Sequence, residues 1–174
     1  MSTLTAPPAP TEHNPYFSKY IGLVPEKDAI QALESQIEDA LALLRIIPES
    51  KAGHRYAPGK WSIREVVGHL IDSERVFAYR AMRFARTDTT ELPGFDENVF
   101  APAGGFDART LADLASEWEH LRRSNILMFR GLPAEAWDRR GTANANPITV
   151  RALAYIITGH GHHHMKLLRE RYLV

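Results

Sequence analysis

Gly159-His160-Gly161-His162-His163-His164 gathers four of the chain's eight histidines into five consecutive positions. Imidazole is the commonest metal-binding side chain in proteins. Two imidazoles at i and i+4 on one helix face can hold a single ion. The glycine interruption, and the continuation Met165-Lys166-Leu167-Leu168 in helical rhythm, distinguish this run from an appended affinity tag. With His160 set at zero and about 100° per residue, Leu153, Ile156, Ile157 and Leu167 all fall within roughly 60° of it. His164 falls at about 40°, inside the same apolar stripe, while His163 lies on its flank and His162 points away. His160 and His164 are therefore the expected inward pair. His162 reads as a solvated residue, and His163 as a stand-in ligand or a support for the ligands.

Two histidines leave a site incomplete, so a third ligand has to come from elsewhere. His13 falls in a loose N-terminal stretch and His54 in a loop. His69 sits at the edge of the apolar face of the second predicted helix. Helix rise puts it about 12 Å from that helix's start, and puts His160 and His164 about 12–18 Å from the end of the fourth. Antiparallel packing of these helices brings the three to one level, which favours His69 over His120. A lone histidine on an apolar face is more often a hydrogen-bonded core residue. A pair on one buried stripe would need two sets of polar partners.

Residues around these histidines extend the reading. Glu65 and Asp72, one turn either side of His69, are candidates to accept the ring N–H that faces away from a metal. Surface pairing with Arg64 or Arg75 is the alternative for both. Gly159 and Gly161 each cost about 1 kcal/mol in a helix relative to alanine. Such a cost implies close approach by another backbone, room for a ligand, or a local kink. Three neutral imidazoles would leave a divalent ion with an open position, suited to activating water or a thiol. The candidate catalytic carboxylates are Asp96, with Glu97 beside it in a long connection, and Asp72. Arg80, on the His69 face, is a candidate for an anionic substrate group. Asn144 and Asn146 either line an entrance or form a turn.

The elements that must position these groups are helical. Apolar residues recur at three- and four-residue spacing in four segments: Pro25 to Pro48, Trp61 to Arg86, Thr110 to Phe129 and Pro147 to Tyr172. No β-period alternation and no internal repeat is visible. The expected fold class is all-α, a four-helix bundle over residues 16–174, preceded by a proline-rich, disordered arm at 1–15. Short loops predict hairpins for the first and second helices and for the third and fourth. The long connection from Thr87 to Asp107 has the length to run back along the bundle, leaving the second and third helices parallel.

Composition narrows the function classes. Lys plus Arg and Asp plus Glu balance at 21 each, which argues against a nucleic-acid binder. The chain has no cysteine, so it has no disulfide, no thiolate ligand and no cysteine nucleophile. Any thiol in its chemistry is a cosubstrate. With no signal-peptide pattern and no apolar run of membrane-spanning length, a cytoplasmic protein is expected.

Lys60-Trp61-Ser62-Ile63-Arg64-Glu65-Val66-Val67-Gly68-His69-Leu70-Ile71-Asp72-Ser73-Glu74, Leu92-Pro93-Gly94-Phe95-Asp96 and Tyr155 through His164 together resemble the DinB-like superfamily of YfiT type. The resemblance runs from about Pro15 to Leu173. It implies an up-down-down-up bundle, often a homodimer, with zinc or nickel held by residues matching His69, His160 and His164. Members include metal-dependent hydrolases and S-transferases or isomerases that use a low-molecular-weight thiol. The implied partner is a small-molecule substrate, with no nucleic acid or membrane. A non-catalytic, stress-related metal-binding protein is the alternative.

Overall fold

The computed structural model describes residues 5–174. Its helices are α1 (Ser18–Ile21), α2 (Ala29–Ile46), α3 (Ile63–Ala85), α4 (Glu97–Ala103), α5 (Leu111–Arg130) and α6 (Val150–Leu167). The four long ones, α2, α3, α5 and α6, form the bundle. Each begins at a side-chain cap: Asp28, Ser62, Thr110 and Thr149 each accept from the backbone N–H three residues on. These caps satisfy donors that the first helical turn leaves open.

Helix α2 packs on α5 and α6, and α3 packs on the same two. The sequential pairs α2–α3 and α5–α6, expected as neighbouring hairpins, therefore lie across the bundle diagonals. Residues 47–62 and 131–149 are long enough to cross the bundle ends. His69 near the start of α3 meets His160 near the end of α6, so these two helices are antiparallel. Helices α3 and α5 are parallel: Ser62, the N-cap of α3, donates to Asp107 just ahead of α5, and Glu74 midway along α3 pairs with Arg122 midway along α5. Helices α2 and α5 are antiparallel, because Glu49 accepts from Leu111 N and Glu34 pairs with Arg130. The order is up-down-down-up, with residues 86–110 as the crossover that carries α4.

A β-hairpin, unanticipated from sequence, precedes α6. Strands β1 (Arg140–Ala143) and β2 (Asn146–Thr149) pair antiparallel, Arg140 opposite Thr149 and Ala143 opposite Asn146. Asn144 and Ala145 form its turn at φ of 50° and 60°. Positive φ at both central residues matches the twist of the strands. Four-residue strands carry too little alternation to read, and Ala145 stands where a glycine would flag such a turn. Because β2 takes Asn146–Thr149, α6 starts at Val150 rather than at Pro147.

Residues 1–4 of the expected disordered arm lie outside the described residues. From residue 5 on the chain is packed. Pro10–Glu12 makes a 3-10 turn, and the buried Glu12 carboxylate accepts from Thr149 Oγ1 at 2.8 Å and Arg151 Nη2 at 3.1 Å. Partners so distant in sequence leave no local trace. Among the described residues, no helix is long and apolar enough to cross a membrane.

The bundle interior holds two apolar clusters. One gathers Leu33, Phe77, Phe84, Phe129 and Leu153; the other gathers Ile37, Leu70, Leu114, Trp118 and Met165. Between them each long helix contributes buried polar residues: Gln36, Ser73 and Glu74, Arg122 and Asn125, and Thr158, His160 and His164. Arg122 forks onto Glu74 through Nε at 2.8 Å and Nη2 at 2.9 Å, and reaches α2 at Gln36 Oε1 (2.7 Å) and Leu33 O (3.0 Å). Trp118 Nε1 and Asn125 Nδ2 also donate to Glu74, at 2.8 and 3.0 Å. A buried pair of this kind is costly to break from one side.

The helical glycines are contact points. A Cβ at Gly159 would lie 2.1 Å from the Tyr20 carbonyl oxygen, and one at Gly161 2.4 Å from Gln36 Nε2. Close backbone approach, one of the expected explanations, thus accounts for Gly159. Gly159→Ala is expected to lower unfolding stability by about 1–3 kcal/mol in urea titration. Gly131→Ala, whose nearest contact would be the Leu127 carbonyl oxygen of its own helix at 3.4 Å, should stay within about 0.5 kcal/mol. Arg122→Met, stranding the Glu74 carboxylate, is expected to cost about 3–5 kcal/mol in the same assay.

Candidate metal centre

Seven residues into α3, His69 points at the end of α6, where His160 and His164 stand one turn apart. His160 Nε2 lies 3.1 Å from His69 Nε2 and 3.1 Å from His164 Nε2. Ligand atoms of all three lie within 4.8 Å of one another, and all three residues are buried. An ion bound at about 2.0–2.1 Å in tetrahedral or octahedral geometry holds its nitrogen ligands about 2.9–3.4 Å apart. The trio fits one divalent ion, and the group is able to bind a metal.

Burial sets the protonation of these rings. Desolvation, with a smaller contribution from His163, pushes His69 down to about 4. Burial also holds His160 and His164 well below the ordinary imidazole value, each reinforced by the neighbouring rings. All three are neutral at pH 7, the state in which imidazole offers a lone pair.

Ser73, one turn after His69, places its hydroxyl 3.4 Å from His69 Nδ1. Glu65 and Asp72, the sequence candidates for that position, are engaged elsewhere. Glu65 closes the Ser62 capping box and pairs with Arg55. Asp72 faces α5 beside Arg75 and Glu117, and burial raises its carboxyl despite Arg75. The i+4 spacing from His69 was the available signal for Ser73.

One side of the trio opens on a cavity of about 480 Å³. Its walls are largely aromatic: Phe17 and Tyr20 at α1, Trp61, Phe77 and Phe95. Trp61 lies 4.8 Å from the His69 ring, and Tyr20 sets its edge 5.3 Å from both His160 and His163. Burial raises the Tyr20 hydroxyl above its ordinary range. Phe17 and Tyr20 were not singled out in sequence, because the fold alone brings them to α6.

The remaining candidates divide. His163 borders the cavity half-buried, while His162 is half-buried rather than solvated, and burial lowers its imidazole. Asp96 is the exposed N-cap of α4, accepting from Asn98 N. Neither Asp96 nor Asp72 lines the cavity; Glu97 is the carboxylate that does. Asn144 and Asn146 sit at its rim and shape the hairpin turn, and Arg80 lines its far wall. His13 is buried against Asn14 O at 2.9 Å, and His54 and His120 are exposed, all outside the cavity.

Comparison with known proteins bears on this arrangement. A family model described as the DinB superfamily matches residues 32–168. YfiT from Bacillus subtilis, described as a "probable metal-dependent hydrolase with an unusual four-helix bundle topology", superposes with a TM-score of 0.70 at 20% identity. That match covers 97% of each chain. A mycothiol-dependent maleylpyruvate isomerase superposes with a TM-score of 0.63 at 13% identity, over 79% of this chain and 58% of that one. At such identities the likeness is one of fold. No curated protein sequence matches the chain. By the family match over most of its length, the chain belongs to the DinB superfamily.

Proposed function

We propose that the protein is a metal-dependent enzyme acting on a small molecule, with His69, His160 and His164 holding one zinc or nickel ion. The observation that carries this reading is three buried, neutral imidazoles, their Nε2 atoms 3.1 Å apart along the set, beside a 480 Å³ cavity. A divalent ion bound there supplies Lewis acidity, lowering the pKa of water or of a thiol at its open position and polarising a carbonyl. Among the described residues no fourth His, Cys, Asp or Glu joins the trio. This favours an open, catalytic site over the structural or sensory alternative, which would be closed by protein ligands.

The chain's own groups have distinct parts in this reading. Ser73 fixes the His69 ring, and Trp61 and Phe77 keep bulk water from the ligands. Glu97 and His163 are the titratable side chains positioned to take up a proton at the cavity wall. Asp96 and Asp72 have no catalytic part. Because the chain lacks cysteine, thiol chemistry here means a low-molecular-weight thiol cosubstrate. The mycothiol-dependent fold relative supports S-transfer as one form of the activity, and YfiT's description supports hydrolysis as the other. The reading includes a cytoplasmic homodimer, checked by sedimentation equilibrium.

Protein purified without a tag is expected to carry about one zinc or nickel per chain by elemental analysis. His69→Ala, His160→Ala and His164→Ala should each lower metal affinity by about tenfold or more, with Asp72→Asn and Asp96→Asn unchanged. Equal metal content in all five variants would sink the assignment. Chelation should lower the melting temperature, as loss of a ligand at about 100 times its Kd removes about 2.7 kcal/mol. Turnover of an electrophilic probe only when a bacterial thiol is added would select S-transfer; turnover without thiol would select hydrolysis.

A further inference from the structure

Among the described residues Arg80 is a buried cation that makes no ion pair. It lies on α3 at the cavity wall, 6% exposed. Among the described residues its guanidinium makes one hydrogen bond, Nη2 to Pro93 O at 2.7 Å, and no ion pair. The other buried arginine of the bundle, Arg122, has every side of its fork engaged by Glu74, Gln36 and Leu33 O. Burying a guanidinium without an anion is expensive. Glu97, the carboxylate on the cavity wall, lies toward Tyr20 and does not pair with Arg80.

The guanidinium is also placed within reach of the histidines. Phe77 neighbours both, its ring centroid 6.2 Å from that of His160 and 5.9 Å from the Arg80 guanidinium carbon, so the fixed positive charge lies no more than about 12 Å from the His160 ring.

We propose that Arg80 is a specificity residue that binds a carboxylate on the substrate, so that the cavity selects small organic acids whose reacting group lies one short apolar spacer away. This rests on the cavity being the substrate site. A planar guanidinium matches a carboxylate through two parallel N–H donors. A single cation balances a carboxylate's one charge, whereas a phosphate monoester carries nearly two and recruits further donors. The aromatic walls suit the spacer.

Benzoate, neutral benzamide and phenyl phosphate, titrated calorimetrically into zinc-loaded and metal-stripped protein, test the assignment. Benzoate is expected to bind about tenfold or more tighter than benzamide in both forms, as a charge-assisted hydrogen bond implies. Arg80→Gln, which keeps a donor for the Pro93 carbonyl, should abolish that preference at unchanged zinc content, and Arg80→Lys should retain part of it. Equal affinity for benzoate and benzamide in the wild type would overturn the proposal, as would a preference that survives in Arg80→Gln. A preference that disappears on stripping the metal but persists in Arg80→Gln would assign the carboxylate to the ion instead. Tighter binding of phenyl phosphate than of benzoate would overturn the carboxylate class. If the wild type takes up no zinc, the metal reading fails, and the metal-free comparison still decides the role of Arg80.

Discussion

The organising constraint is a layer of buried polar side chains crossing the bundle between two apolar clusters. Polar groups taken out of water have to find one another, and poor geometry is penalised heavily at low dielectric. Glu74 and Arg122 meet this demand with a bidentate pair plus donors from Trp118 and Asn125, and Arg122 extends the set to α2. An apolar interface can slide by a turn and remain apolar. This one cannot, because any slip separates a buried charge from its partner. The layer therefore fixes the register of α2, α3 and α5, and with it the depth at which α3 presents His69.

On α6 the same layer is made of His160 and His164, whose partners are each other and His69. Nothing among the described residues neutralises or hydrates the trio as a salt bridge does for Arg122. Among the described residues, the buried His164 Nδ1 has no hydrogen-bond partner. Desolvation keeps the rings neutral, which makes the cluster poor as a charge network and good as a set of lone pairs. Helix α1 completes the surroundings: Gly159 lets the Tyr20 backbone approach α6, and the rings of Phe17 and Tyr20 then wall the cavity. Stability and site share one construction, in which the glycines are the concession to both.

Legibility in the sequence follows the range of the interactions involved. The four helices were readable because the apolar spacing that marks them acts over three or four residues. The i, i+4 geometry of His160 and His164 was readable for the same reason, and rise per residue placed His69 at their level. The β-hairpin was not readable, since its strands are four residues long and Ala145 occupies a glycine position. Helix adjacency was also misread: short connections suggested α2–α3 and α5–α6 hairpins, but loops that cross the bundle ends put those pairs on the diagonals.

By itself the sequence determined the helices and the pairing of His160 with His164, which rest on local periodicity, pointed to His69 through helix rise, and carried the family resemblance in its motifs. Tertiary structure alone decided what surrounds those histidines. It turned Asp72 toward α5 and left Asp96 as a helix cap, chose Ser73 over Glu65 for His69, packed residues 5–15 against α6 through Glu12, and buried Arg80 with no anion among the described residues. Each of these outcomes depends on which distant residue reaches a side chain first once water is excluded. That competition is settled by packing across the bundle, and spacing along the chain carries no record of it.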